Sequence, residues 1–250
     1  ERNSAVGMYT KKKIDAVAKD ISIDAKSSVG DVYGIYIHEG GKAAITGNVS
    51  ILAKQGGDGF ADGIKLYNGG SALTINGNLA MKGTGGGNDA YGVSAAQKGG
   101  YGSTKTYQAT GINIYDKDGA AFTLNGNLDM KVKGVGVDMR GSEKNAVTIA
   151  GGTIFTPDDG EEASYKAVAA TSGTFAMGMN DAKTGSNGKD VVVQGTISLG
   201  KKGTVDLGLG SSKSRWTGIA DNKDGHPMNL YLSDGGMWEN RRTSKDQYGL

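Results

Sequence analysis

The sequence predicts an all-β protein, a parallel β-helix of about ten coils with short loop insertions. Three observations predict it: apolar residues alternate along short stretches, near-identical segments recur in register, and glycine or asparagine stands at the corners between them. Each coil of such a solenoid buries its apolar face only by stacking on the next, so self-similarity along the chain is its signature. Glycine accounts for 44 of the 250 residues and proline for 2, which with no three-residue period excludes collagen and proline-rich linkers.

Taken in order, the chain opens with a stretch from Lys12 to Ala18 that carries a faint helical pattern. Asp20-Ile21-Ser22-Ile23-Asp24-Ala25 then establishes strand alternation. Two kinds of element alternate from there. The first contains a glycine followed by alternating apolar residues: Tyr33-Gly34-Ile35-Tyr36-Ile37, Asp62-Gly63-Ile64-Lys65-Leu66, Thr110-Gly111-Ile112-Asn113-Ile114 and Val135-Gly136-Val137-Asp138-Met139. The second is a strand, a corner and a strand: Ala44 to Ile51, Leu73 to Met81, Phe122 to Met130 and Val147 to Ile154, turning at Gly-Asn or Gly-Gly. Both residues tolerate the left-handed backbone such corners use.

Spacing sets the expected coil. Gly34 to Gly63 is 29 residues, Tyr91-Gly92-Val93 repeats that interval, and Gly111 to Gly136 and Gly126 to Gly151 are both 25. Gly77 to Gly126, at 49, reads as two units, and the corners at Gly195 and Gly235 follow at 44 and 40. Within each strand Ile35 and Ile37 face inward with Tyr36 outward, and Leu73 and Ile75 inward with Thr74 and Asn76 outward. At ~4.8 Å per coil the rod is roughly 50 Å long. A β-sandwich of hairpins fits the strand spacing but not the repetition. No linker divides the chain, so residues 1–250 read as one domain, with 205–250 its C-terminal coils. There Trp216 and Trp238 stand 22 residues apart, one coil, and stack as an aromatic staple.

Leu230-Tyr231-Leu232-Ser233-Asp234-Gly235-Gly236-Met237-Trp238, with Trp216-Thr217-Gly218 one coil earlier, resembles the C-terminal passenger region of pertactin-like bacterial autotransporters. The Gly-Asn coils upstream fit the same style, and the motif itself spans about residues 205–240. The resemblance implies a right-handed β-helix exposed on the bacterial cell surface or secreted. It also implies export through a C-terminal outer-membrane β-barrel, with a role in adhesion or self-association (biofilm). No barrel-like run of alternating strands follows before Leu250, so the sequence reads as a passenger segment.

Composition narrows the chemistry. The net charge of +2 makes nucleic acid no default partner, and zero cysteines remove thiolate metal sites, iron–sulfur clusters and cysteine nucleophiles. His38 and His226 are the two histidines, and neither lies near a nucleophile elbow; the Gly-Asp-Ser-Gly motif of serine-protease passengers is missing. Gly208 to Ser214 lacks the glycine before lysine of a Walker loop, and Gly83 to Asn88 does not complete G-x-G-x-x-G. Asp116-Lys117-Asp118-Gly119, Asp221 to Gly225 and Gly56 to Ala61 miss calcium-loop ligands and read as turns. No cofactor or metal is expected.

The expected activity is non-enzymatic, polyvalent binding to a host or bacterial surface receptor, a glycan, or another copy of the chain. The insertion from Gly83 to Thr110 is its candidate contact, since Tyr91, Tyr101 and Tyr107 with Lys105 offer broad area on an adaptable loop. The acidic insertion Pro157 to Glu162 reads as solvated. The alternative is a polysaccharide lyase or glycosidase, for which Asp129 and Asp138 are outward carboxylates on different strands. A third reading is a structural stalk.

Overall fold

The computed structural model describes residues 4–16, 20–57, 59–95, 109–157, 165–222 and 225–241. It is all-β, with a single 3₁₀ turn at Gly87–Ala90 as the helical element among those residues. Among the described residues every strand-to-strand ladder is parallel, an arrangement consistent with a solenoid. A sandwich of hairpins would have produced antiparallel ladders.

Three ladders hold the strands. The first runs from Ala5–Thr10 through Val32–His38, Ala61–Tyr67, Ala109–Asp116 and Val135–Gly141 to residues 166–170, 196–199 and Ala220–Asp221. The second begins Lys13–Ala16, Lys42–Ile45 and Ala72–Ile75, and ends on Met228–Leu232. The third begins Asp20–Ser27 and Asn48–Gln55 and ends on Arg215–Gly218 and Met237–Asn240. Side chains of one kind fall above one another because the register is kept. Ile35, Ile64, Ile112 and Val137 form one inward column, and Ile45, Ile75, Leu124 and Ile149 another, all almost fully buried. Burial of these columns is what one level alone cannot achieve, at ~25 cal/mol per Å² of apolar surface.

The glycine near the start of the first-ladder strands Val32–His38, Ala61–Tyr67 and Ala109–Asp116 has a steric cause. A Cβ on Gly34 would stand 2.4 Å from the Gly63 carbonyl oxygen, one on Gly63 2.7 Å from that of Gly111, and one on Gly111 2.6 Å from that of Gly136. Each Cα thus leans on the backbone of the next level, where only hydrogen fits.

The phase of the repeat differs from the spacing argument at two places. Gly92 is not the counterpart of Gly34 and Gly63; Gly111 is. Leu79–Met81 and Val93–Ala95 are two halves of one third-ladder strand, the first pairing Val49↔Leu79 and the second Val93↔Ala53. Residues 82–92 leave that strand and return to it, closed by an antiparallel bridge of Lys82 with Tyr91 and a Gly83 N–H bond to the Ala90 carbonyl at 2.9 Å. The interval from Gly77 to Gly126 therefore contains one level plus insertions, so the ladders are eight strand segments deep among the described residues. The Gly195 corner also differs in kind: it joins the third ladder to the first, whereas Gly126 and Gly151 lie between the second and third.

Corners are held by side-chain amides in register. Asn48 Oδ1 accepts from the Asn78 N–H at 2.9 Å, and Asn78 Oδ1 from the Asn127 N–H at 2.8 Å, so each Gly-Asn corner secures the next. Asp116 acts likewise: Oδ1 takes the N–H groups of Asp118 and Gly119, and Oδ2 those of Gly70 and Ser71.

Candidate functional site

The outer face of the first ladder gathers aromatic and charged side chains from successive levels. Outward columns collect them because every second residue points away from the core. Tyr9 stands beside Tyr36 and Tyr36 beside Lys65; His38 is in register with Tyr67, and Tyr67 with Tyr115. The rings touch in a continuous chain: Tyr9 to Tyr36 at 5.4 Å between centroids, Tyr36 to His38 at 5.5 Å, His38 to Tyr67 at 5.2 Å and Tyr67 to Tyr115 at 5.6 Å. Tyr33 packs on Tyr36 at 4.9 Å.

Two cations are set among the rings. Lys65 Nζ lies 4.7 Å from the Tyr33 centroid and 5.8 Å from those of Tyr36 and Tyr67, and Arg140 lies 5.7 Å from that of Tyr115. Such contacts are worth about 0.5–2 kcal/mol each, more as water is excluded. Lys65 also pairs with Asp62 at 3.5 Å, and Arg140 with Asp138 at 2.9 Å. Positive and negative groups therefore balance, leaving a wall that is aromatic and hydroxyl-rich rather than strongly charged. Tyr9 and Tyr115 are the most exposed of these residues, at 48% and 39%.

Beneath the rings lies a buried polar group. Asp62 accepts from Asn113 Nδ2 through both carboxylate oxygens, at 3.2 and 3.1 Å. Burial raises its pKa, against the opposing pull of Lys65 and Asn113, and burial likewise raises that of Asp138. Burial drives the Tyr36 phenol up to about 12 and raises Tyr33 as well, so both rings stay neutral hydrogen-bonding groups at ordinary pH. Asn113 Oδ1 is buried with no hydrogen-bond partner.

These facts give a pH prediction. Because the folded protein holds the Asp62 proton more tightly than the unfolded chain does, its contribution to stability is full below the unfolded carboxylate range near 3.8 and is lost as pH rises through the raised folded value. Asp62→Asn removes the buried charge and keeps one amide oxygen to accept from Asn113 Nδ2. Thermal unfolding is expected to show the variant melting above wild type at pH 7.5, with the margin closing toward pH 4; a margin that grows on acidification contradicts this account.

The positions singled out from the sequence are distributed differently. Tyr91 is half-buried at the base of the 82–92 insertion, on the third ladder's side and away from the aromatic wall. Tyr101, Lys105 and Tyr107 lie outside the described residues, as does the acidic stretch after Pro157. Asp129 pairs with Lys82 on the third ladder while Asp138 belongs to the first, so the two carboxylates serve separate ion pairs. His38 is a member of the ring chain, and His226 exchanges backbone hydrogen bonds with the Asn222 side chain.

The wall itself was not singled out from the sequence. Its signal was the recurrence of Tyr, His, Lys, Asn, Asp and Arg at outward positions of the glycine-led strands, which becomes a site only when the register is known. In-register parallel ladders and an aromatic outer wall place the chain among all-β stacked-strand proteins. No family model, curated protein or solved structure matches it.

Proposed function

We propose that the chain is a right-handed parallel β-helix, the surface-exposed passenger segment of a bacterial autotransporter, and that it binds rather than catalyses. Its role is adhesion or self-association through the outer wall of the first ladder. The partner is a cell-surface receptor, a glycan or another copy of the chain, and a C-terminal outer-membrane barrel belongs to the full-length protein. The observation that carries the reading is the chain of rings from Tyr9 to Tyr115, spread over four levels and interleaved with paired charges. Tyrosine supplies wide contact with few rotors to immobilise, and a repeated shallow wall suits many weak contacts multiplied by copy number.

A specific observation favours the second reading, a polysaccharide-acting enzyme. Asp62 and Asp138 lie on one wall, the first bonded by Asn113 and the second in register with it, so two carboxylates stand near each other as a carbohydrate-cleaving pair requires.

The experiment displays the chain on cells and measures aggregation and attachment for wild type, for Tyr67→Ala with Tyr115→Ala, and for a variant in which residues 96–108 are replaced by a Gly/Ser linker. The double tyrosine change is expected to lower aggregation or attachment on the order of tenfold, what removing ~1.4 kcal/mol of contact energy produces. The linker variant reports on Tyr101, Lys105 and Tyr107 and leaves Val93–Ala95 and Ala109–Asp116 in their ladders. If neither attachment nor aggregation is seen for wild type, the binding reading fails and a stalk remains. Polysaccharide cleavage abolished by Asp62→Asn or Asp138→Asn alone establishes the enzyme instead.

A further inference from the structure

The third ladder carries a second, chemically different feature on its outside. Lys26 is in register with Lys54, Lys54 with Ser94, and Ser94 with Lys133, so a single outward column presents three ammonium groups over four levels. The column floors a recess of about 690 Å³, to which the 3₁₀ turn of the 82–92 insertion contributes Asn88 and the end of the Asp20–Ser27 strand contributes Ser27.

Like charges directly opposite on paired strands destabilise a sheet, and at ~4.8 Å between strands the cost is direct. The fold offsets it only in part. Lys26 is held by Asp24 at 2.8 Å and Lys54 by Asp89 at 3.2 Å, while Lys133 finds the amide oxygen of Asn88 at 2.9 Å in place of a carboxylate. Asp89 sits on the insertion with its side chain 80% exposed, so its ion pair is a weak surface contact that an incoming anion displaces at little cost.

We propose that this recess binds an acidic polysaccharide, with carboxylate or sulfate groups along the polymer seated on Lys26, Lys54 and Lys133 and its hydroxyls on Ser27, Ser94 and Asn88. A line of cations running up the stack matches a linear polyanion better than a single small anion. Nucleic acid fits less well, because among the described residues no aromatic ring lines the recess to stack a base, and the chain's net charge is only +2. This site is independent of the aromatic wall, and its fate leaves that reading untouched.

The test measures binding of heparin, polygalacturonate, neutral dextran and single-stranded DNA to the purified chain at increasing salt. Heparin or polygalacturonate is expected to bind with an affinity that falls as salt rises, and dextran not to bind. Changing Lys26, Lys54 and Lys133 together to Gln should weaken binding at least tenfold, whereas Lys117→Gln with Lys201→Gln should leave it unchanged. Asp89→Asn should act in the opposite direction and tighten binding several-fold by releasing Lys54. The opposite sign of that last effect keeps the test decisive even if the triple variant folds poorly. Absence of binding to both acidic polymers, equal losses from the two lysine sets, or single-stranded DNA binding as tightly as heparin overturns the proposal.

Discussion

Gly34→Val is expected to destabilise the chain severely. The added Cβ would meet the Gly63 carbonyl oxygen and Ile51 Cγ2 at 2.4 Å each, and neither has anywhere to go. One is backbone already committed to a ladder, and the other is a fully buried side chain in the core. Overpacking typically costs about 1–3 kcal/mol where side chains can shift, and a clash against backbone exceeds that range. Two levels must separate, which also disturbs the seating of Gly63 on Gly111. Urea unfolding monitored by circular dichroism should show a lower midpoint by ~3 kcal/mol or more, or no folded baseline. Gly86→Ala is the control: nothing lies within 4 Å of its added Cβ, and its φ of −94° suits any residue. Equal stability losses from the two substitutions would refute the steric account of the glycine column.

Trp216→Ala should also be strongly destabilising but differ in kind, because its effect is confined to one end. Trp216 is 1% exposed, occupies the inward column that continues from Val193, and lies parallel to Trp238 at 4.9 Å and 9°. Its Nε1–H donates to the Gly195 carbonyl at 3.1 Å, so the indole ties the last two levels of the third ladder to the corner below. Truncating a buried tryptophan costs about 3–5 kcal/mol. In a stacked fold that loss falls on the neighbouring levels rather than on the whole molecule. Limited proteolysis is expected to cut first within residues 205–241 of the variant while the levels built on Ile35, Ile64 and Ile112 stay protected. Trp216→Phe should recover part of the loss through packing but none of the hydrogen bond. Simultaneous cleavage along the whole chain would mean that the levels are coupled far more tightly than nearest neighbours.

Much of the ladder was legible because the strands are short and nearly identical. Leu73 to Met81 and Phe122 to Met130 announce the same register by eye, and they do pair, Leu73 with Phe122 and Leu79 with Leu128. The tryptophan pair was legible for the same reason. The error at Gly92 has a physical origin: Tyr91-Gly92-Val93 imitates a glycine-led strand locally, but the hydrogen bonds that decide the matter come from Ala53 and Lys131, far off in the chain. The aromatic wall was illegible for a related reason. Tyr9, Tyr36, Tyr67 and Tyr115 are separated by 27, 31 and 48 residues, intervals stretched unequally by corners and insertions. No fixed period connects them, and Asn113 reaches Asp62 only because a level intervenes nowhere between their strands. A lysine column is harder still, since Lys26, Lys54 and Lys133 are ordinary surface residues until Ser94 bridges them.

The parallel register also has a mechanical meaning. All inter-strand hydrogen bonds in these ladders run along the stack, so tension between the first strand and the last loads them one level at a time, as a zipper is opened, and never in parallel. Releasing a level such as that between Ile35 and Ile64, 29 residues, lengthens the chain by roughly 100 Å, while the remaining levels keep their neighbours and their stability. Under a steady pull such a molecule extends in steps at low force, shedding load repeatedly where a sheared sheet would hold and then fail at once.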